Sequence, residues 1–212
     1  PQGSVFGIIG PNGAGKTTTF NLIAGDSQPD RGDITMFGTR VTTHSAAQRA
    51  QQGLARTFQL PEPLGDLSVR ENVLVGALLR RRLRSARRVA DELLVRFGLA
   101  GLADAPASRL NTADGKRLEL ARAVATDPRL LLLDEPVAGL TEPELEEAIG
   151  LLREISAAGT TVLIIEHVLA AVFSLCATVL VLNFGAAVTI GTAAQVRRDP
   201  KVIEVYLGDH DD

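Results

Sequence analysis

The segment GPNGAGKT, residues 10–17, has the residue types and spacing of a site for nucleotide phosphates. It fits the pattern G-x-x-x-x-G-K-[ST] without a mismatch, after an apolar run and before a helical pattern. Glycines let such a loop wrap phosphate oxygens with inward-pointing backbone N–H groups, and Lys16 adds positive charge at the β and γ phosphates. The Thr17 hydroxyl is placed to ligate Mg²⁺. The predicted nucleotide contacts are Gly10, Asn12, Gly13, Ala14, Gly15, Lys16, Thr17 and Thr18.

Two adjacent carboxylates, Asp134 and Glu135, follow the apolar run in RLLLLDEP. Open α/β sheets bind their ligands at the carboxyl ends of the strands, which is where these side chains would lie. Asp134 can hold Mg²⁺, and Glu135 can orient or deprotonate an attacking water. By themselves the two residues could simply begin a loop. Together with the phosphate loop they predict a metal-binding and a catalytic carboxylate.

A third polar residue, His167, closes the run VLIIEH at the same predicted edge of the sheet. A lone histidine there is more often a structural hydrogen-bonding group, although a strand-end imidazole could reach a γ phosphate. Gln59, in ARTFQLPEP, is a weaker candidate because such a glutamine is usually a surface residue. Its position where a helical region begins makes it a candidate hinge.

The stretch LNTADGKRLELARA, residues 110–123, predicts the start of a helix. Asn111, Thr112 and Asp114 are short polar residues that can accept hydrogen bonds from the unpaired backbone N–H groups of a first turn. A helix N-terminus also attracts anions, yet Asp114 places negative charge where an anion would approach. The stretch is therefore either a plain helix cap or part of a binding surface.

These candidate residues can act together only if the strands and helices of the protein bring them to the same edge of a sheet. Short apolar runs alternate with helix-length segments, the pattern of a parallel sheet covered on both faces, so we predict an α/β fold. The strands are predicted at residues 5–9, 130–133, 161–165 and 178–182, with an edge strand at 33–38; helices are predicted at 17–24, 113–125 and 143–157. The region 60–107 is rich in Leu, Ala and Arg and predicts an inserted helical subdomain; the run 168–182 predicts a helix followed by a strand.

The bulk properties limit the class of protein. A chain of 212 residues suits one substantial domain, and a formal charge of -3 gives no general support for binding nucleic acid. The single cysteine, Cys176, excludes an internal disulfide framework and suits a reducing compartment. The start, PQGSVFGIIG, predicts a strand rather than a secretory signal, and no apolar run reaches the length of a membrane span.

Taken in order, GPNGAGKTT, ARTFQ, RLELARA, LLLLDEP and VLIIEH resemble the nucleotide-binding subunit of ATP-binding cassette transporters. The segments GLARTFQL, LSVRENVLVGA, PVAGLTEPE and RRDPKVIEVYLG are similar to the ATPases of branched-chain amino acid importers. The resemblance implies a P-loop NTPase core, residues 1–59 and 108–212, with a helical subdomain at 60–107. It implies an ATPase that uses ATP and Mg²⁺ to power solute import.

The resemblance also implies roles for single residues. Gln59 would touch Mg²⁺ and the membrane partner, Thr17 and Asp134 would bind the metal, and Glu135 and Lys16 would act in catalysis. His167 would be the switch histidine. Asn111 and Ala113 would contact the ATP of a second ATPase subunit, which could be a different chain or an identical one. Transmembrane permeases would hold the pair at the cytoplasmic face of the membrane, with a solute-binding protein acting indirectly.

The sequence departs from the family pattern in three places. Only fifteen residues precede Lys16, so we expect the N-terminal strands and the adenine-stacking aromatic residue of the family to be absent. Thr141 stands where the wider family often has aspartate. The signature Leu-Ser-x-Gly-Gln falls on LNTAD, so Ala113 restricts backbone approach to a phosphate and Asp114 adds negative charge. We therefore expect a weakened signature, which favours pairing with a different ATPase subunit.

Two other functions remain open at this stage. A cassette ATPase acting on nucleic acid or ribosomes is disfavoured by the acidic balance and by the single cassette. An ATP-binding regulator with little turnover is the second alternative. The basic run at residues 80–88 predicts a solvated helix face, with contact to a membrane partner or anionic lipid as the alternative. The transported solute is not encoded in these residues.

Overall fold

A six-stranded sheet, in the order β4-β5-β6-β1-β7-β8, forms the centre of the protein. The computed structural model describes residues 2–58 and 63–207. Five strands run parallel, and β8 pairs antiparallel with β7 at one edge. The strands of this sheet are β1 (Val5–Ile9), β4 (Leu54–Arg56), β5 (Leu130–Asp134), β6 (Thr161–Ile165), β7 (Thr178–Asn183) and β8 (Ala186–Gly191).

The central strands are apolar along their length because helices cover both faces of the sheet. Leu131, Leu132 and Leu133 are all fully buried, although successive side chains of a strand point to opposite faces. Leu131 and Leu133 pack in one hydrophobic cluster, and Leu132 packs in the cluster on the other side. The carboxyl ends of β1, β5 and β6 therefore meet at one edge of the sheet.

Nine helices are present in the described part of the chain. They are α1 (Lys16–Ala24), α2 (Ala46–Gln51), α3 (Val69–Leu78), α4 (Leu83–Arg96), α5 (Thr112–Ala125), α6 (Glu142–Ala157), α7 (Leu169–Leu175), α8 (Ala193–Arg198) and α9 (Pro200–Leu207). Two start signals are clear: Ser68 caps α3 and Thr141 caps α6, each in a reciprocal bond pair with the glutamate three residues on. The left-handed Gly25 ends α1.

Helices α3, α4 and α5 pack against one another beside the sheet. The contact between α3 and α5 is closest at Gly76, where an added Cβ would lie 2.4 Å from the carbonyl oxygen of Arg122. Only a residue without a side chain allows this approach. Helix α5 contacts both α3 and β4, so it connects the helical region to the core.

The predicted α/β fold with a mainly parallel sheet is confirmed. The predicted strands and helices lie within one residue of the observed bounds, and the run 168–182 divides into α7 and β7 as expected. The edge strand predicted at residues 33–38 is present but shorter, and it lies outside the main sheet. Phe37 and Gly38 both have positive φ, so the chain turns back at once, and β2 (Thr35–Met36) pairs with β3 (Thr39–Arg40) in a separate two-stranded sheet.

A fully buried arginine, Arg49, fastens this hairpin region to α1. Its guanidinium donates to the carbonyl oxygens of Leu22 (2.5 Å), Ile23 (2.8 Å), Val41 (2.8 Å), Thr42 (3.2 Å) and His44 (3.1 Å). Burial lowers the pKa of Arg49, because the charged form loses solvation. The carbonyl groups at the end of α1 are thus satisfied by a side chain from α2.

Candidate active site

The phosphate loop joins β1 to α1 and depends on glycine at three positions. Gly10, Gly13 and Gly15 have φ of 153°, 76° and 94°, in the region that side chains rarely adopt. A Cβ on Gly10 would lie 2.2 Å from the carbonyl oxygen of Leu182, whereas nothing lies within 4 Å of a Cβ on Gly13. The glycine at 10 therefore permits packing on β7, and the glycine at 13 leaves an open concave backbone that suits a phosphate group.

The other loop residues divide into anchors and exposed groups. Ala14 is buried, and its carbonyl oxygen accepts a hydrogen bond from the Gly185 N–H at 3.0 Å. Asn12 lies on the outer side of the loop, and Thr17 and Thr18 occupy the first turn of α1; all three are exposed. The β7–β8 turn thus holds the phosphate loop in place through Ala14. The polar groups of the loop face solvent at the N-terminus of α1, which is a favourable place for anions.

Lys16 folds back over the loop from the first position of α1. Its ammonium group donates to the carbonyl oxygens of Gly10 at 2.7 Å and Pro11 at 2.9 Å. Burial lowers the pKa of Lys16, and the nearby charges of Glu135 and Asp134 oppose that shift. In the structure, the predicted lysine therefore lies near enough to the two predicted carboxylates for their charges to interact.

Asp134 ends β5 and is nearly buried. Burial raises the pKa of its carboxyl group, and the nearby guanidinium of Arg56 lowers it, with Nη2 3.7 Å from Oδ2. Arg56 itself comes from the end of β4, the neighbouring strand, and also contacts Asn21 and Asp26. The carboxylate predicted to bind metal is thus held beside a cation that favours its ionised form.

Glu135 has an unusual backbone for a residue with a long side chain. Its φ is 50°, in the left-handed region, and its N–H donates to the carbonyl oxygen of Ile165 at 2.9 Å. The carboxylate Oε1 lies 3.6 Å from Nδ1 of His167. The imidazole is 58% exposed, so this pair faces solvent at the edge where β5 and β6 end.

The donor set fits Mg²⁺. Thr17 offers a hydroxyl oxygen and Asp134 a carboxylate oxygen, and hard oxygen donors are the ligands that Mg²⁺ prefers. Within residues 2–58 and 63–207, no group of three or more His, Cys, Asp and Glu side chains could hold a metal alone. Mg²⁺ is usually bound through one or two protein side chains together with the phosphates of its nucleotide.

Gln59, the third predicted metal contact, lies outside the described residues. The chain just before it is held from α5, because the Phe58 N–H donates to the buried carboxylate of Glu119 at 2.7 Å. The segment that leads to Gln59 is therefore fastened to the same helix that begins at residue 112.

The first turn of α5 is capped by Asn111. Its Oδ1 accepts from the Asp114 N–H at 2.8 Å, and its Nδ2 donates to the Asp114 carboxylate at 3.0 Å. The same carboxylate lies 3.4 Å from Arg117, which also pairs with Glu147. Ala113 is half-buried in this turn. The cap therefore occupies both polar atoms of Asn111, and Arg117 partly offsets the charge of Asp114.

Comparison with known proteins agrees with this geometry. Residues 1–138 match the family profile described as ABC transporter, and residues 190–212 match that of the branched-chain amino acid ATP-binding cassette transporter. The chain belongs to the ABC transporter family. It is 37% identical to the high-affinity branched-chain amino acid transport ATP-binding protein LivG of Escherichia coli K12, covering 99% of this chain and 88% of that protein.

Two further similarities complete the comparison. The lipopolysaccharide export system ATP-binding protein LptB of Acidithiobacillus ferridurans is also 37% identical, over 98% of this chain and 86% of that protein. A nucleotide-free ATP-binding cassette from an ABC transporter superposes with a TM-score of 0.85 at 30% identity, over 97% of this chain and 88% of the other.

Family membership establishes the activity. The protein is an ATP-binding cassette ATPase that binds ATP with Mg²⁺ and drives transport. ATPase subunits of this kind dimerise and associate with transmembrane permeases. Among the described residues of this chain, no helix combines the length and apolar character needed to span a bilayer.

Sequence reasoning missed two residues that contact the site. Arg56 lies in the ARTFQ segment at the end of β4, but a strand of three residues is too short to show a strand pattern in the sequence. Lys116 has no local signal. Its Nζ donates to the carbonyl oxygens of Glu135 at 2.9 Å and Ala138 at 2.7 Å.

Proposed function

We propose that this ATPase powers an importer of branched-chain amino acids or related small solutes. The observation that carries the proposal is the match of residues 190–212 to the branched-chain amino acid transporter profile, which lies outside the general cassette match. The similarity to LivG over nearly the whole chain supports it. The tail is informative because the phosphate loop and carboxylates serve every member of the family alike.

Lipopolysaccharide export is the second candidate, because the similarity to LptB is as high as that to LivG. The two relatives act on very different molecules according to their names. Loss of this protein is therefore expected to stop either amino acid uptake or lipopolysaccharide export, and assays of the two processes distinguish the candidates.

The proposed roles combine the family pattern with the contacts of the described site residues. Lys16 and the N–H groups of the loop would bind the β and γ phosphates. Thr17, Asp134 and Gln59 would hold Mg²⁺, which would supply positive charge against the phosphate oxygens. Glu135 would accept a proton from the attacking water while the water oxygen bonds to the γ phosphorus. The bond between the γ phosphorus and the β–γ bridging oxygen would break, and ADP would leave. The position of His167 beside Glu135 supports a role in sensing the γ phosphate.

A second ATPase subunit completes the proposed site. In the dimer, the first turn of α5 would face the nucleotide of the partner, with Asn111 and Ala113 as its contacts. Both polar atoms of Asn111 serve the helix cap, and Asp114 adds an acidic group, which supports a weakened contribution from this chain. We therefore propose pairing with a different ATPase subunit, with this chain supplying the competent phosphate loop.

A groove lined by Phe58, the residue before Gln59 in the sequence, supports the permease contact. The cavity, of about 260 Å³, lies between the end of α1, the chain at 54–58 and the α3–α5 pair. Phe58 and Leu79 line it and are 51% and 53% exposed, which is high for large apolar side chains. We propose that residues 60–107 form the docking subdomain, that the permease binds this groove at the cytoplasmic face, and that a solute-binding protein acts through the permease.

Uptake measurements test the transport proposal. A strain lacking this gene is expected to lose uptake of radiolabelled leucine and to regain it with the wild-type gene but not with the Glu135→Gln variant. If the deletion strain takes up leucine normally and retains lipopolysaccharide at the inner membrane, the import proposal is wrong and lipopolysaccharide export is the function. The Arg40→Met variant, which changes an exposed ion pair with Asp33, serves as the expression-matched control.

A further inference from the structure

Lys116 lies in the second turn of α5, and its ammonium group packs against the loop that follows β5. Nζ donates to the carbonyl oxygen of Glu135 at 2.9 Å and to that of Ala138 at 2.7 Å. Hydrogen bonds from a charged donor are roughly twice as strong as neutral ones. Two of them from one side chain fix the relative positions of α5 and this loop.

The main chain of Glu135 is held on both sides. Its N–H donates to Ile165 of β6, and its carbonyl accepts from Lys116 of α5. Between these bonds the residue has a φ of 50°, in the left-handed region that is disfavoured for a residue with a Cβ. Such a conformation persists only where the surroundings hold it, and the two bonds supply that constraint.

A buried carboxylate, that of Glu166, also holds the loop that follows β5. Glu166 is 1% exposed, and its Oε1 accepts from the Val137 N–H at 2.9 Å. Burial lowers the pKa of Lys116, whereas Glu166, Glu135 and Glu119 raise it. The carboxylates around Lys116 thus offset part of the cost of burying its charge, and burial remains the larger effect.

We propose that Lys116 is a positioning residue for ATP hydrolysis, which holds the main chain of Glu135 in the left-handed conformation that directs its carboxylate toward His167. The inference rests on the catalytic role proposed for Glu135. It also gives a physical connection within the chain, because α5 begins at the turn that would face the nucleotide of the partner. A shift of α5 would move the carbonyl of Glu135 through Lys116.

Kinetics with matched variants test this role. Lys116→Met removes both hydrogen bonds and keeps an unbranched side chain, so kcat is expected to fall by about 100-fold, the scale of a 1 Å misplacement. The Kd for Mg-ATP is expected to stay within roughly twofold of wild type, since Lys116 does not contact the phosphate loop. Lys116→Arg is expected to recover most of the rate, because a guanidinium can donate to both carbonyls.

The control is Arg153→Met. Arg153 also donates to a carbonyl oxygen, that of Ser174 at 2.9 Å, but far along α6 from the loop. Its loss is expected to leave kcat unchanged. A Lys116→Met rate equal to that of Arg153→Met would overturn the proposal.

Hydrogen–deuterium exchange separates this inference from the role of Glu135. In Lys116→Met, the amides of residues 135, 137 and 138 are expected to exchange faster, while those of β8, at the far edge of the sheet, exchange as in the wild type. Unchanged exchange would overturn the holding role of Lys116, whatever the rate of hydrolysis. Normal hydrolysis by Glu135→Gln would instead overturn the proposed catalytic role of Glu135, and faster exchange in Lys116→Met would then still show that Lys116 holds the loop.

Discussion

The Nδ1 atom of His167 lies 3.6 Å from Oε1 of Glu135, so the ends of β6 and β5 bring an imidazole and a carboxylate together. The two residues are distant in sequence but follow neighbouring parallel strands whose register pairs Asp134 with Ile165. This pairing places both side chains at the edge that also carries the phosphate loop.

Glu135→Gln is expected to bind Mg-ATP normally and to lose hydrolysis by about 10²–10⁴-fold, because an amide of the same shape cannot accept the proton of water. Nucleotide binding by fluorescence and phosphate release measure the two effects separately. Glu144→Gln, in the exposed cap of α6, is the matched control. Retained hydrolysis in Glu135→Gln would remove Glu135 from its proposed role.

Restoring the signature residues is expected to raise turnover. In the double variant Ala113→Gly and Asp114→Gln, the backbone of the first turn of α5 becomes accessible and the acidic group is lost. Turnover in the complex with the second ATPase subunit is expected to rise, since a donor that reaches a developing charge contributes about 10²–10³-fold. Equal turnover by the purified wild-type chain and the two-subunit complex would contradict the proposed asymmetry.

The pH dependence of Mg²⁺ binding depends on Asp134. Burial raises the pKa of this carboxyl and Arg56 opposes the shift, so affinity for Mg²⁺ with nucleotide is expected to fall as the pH drops through the raised pKa. Arg56→Met removes the opposing cation, which raises that pKa further and moves the acidic limb to higher pH. Titration calorimetry across pH measures the limb, with Arg40→Met as the control. A limb that does not move would show that Arg56 has no influence on Asp134.

The contact between α3 and α5 predicts a difference between two glycines. Gly76→Ala places a Cβ 2.4 Å from the Arg122 carbonyl oxygen, so it is expected to lower the free energy of unfolding by about 1–3 kcal/mol. Gly150→Ala, in α6 with nothing within 4 Å of the new Cβ, is expected to raise it by about 0.5–1 kcal/mol. Urea denaturation measures both. Equal effects of the two substitutions would contradict the close packing at Gly76.

Much of the candidate site follows from short segments of sequence. The phosphate loop, the carboxylates after β5 and the histidine after β6 are each defined by neighbouring residues, since glycine turns and apolar runs are local properties. The same locality limits what could be predicted for residues 33–38. The pattern of that segment indicates a strand, but the pairing partner depends on the positive φ of Phe37 and Gly38 and on the position of the main sheet.

The sequence by itself determined the family, the α/β fold and the residues that would bind ATP and Mg²⁺. The tertiary structure alone decided which charges meet: Arg56 beside Asp134, Arg49 on the carbonyls of α1, and Lys116 on the carbonyl of Glu135, nineteen residues away. No local pattern specifies these contacts, because they depend on the order of strands in the sheet and on the packing of α5 against it.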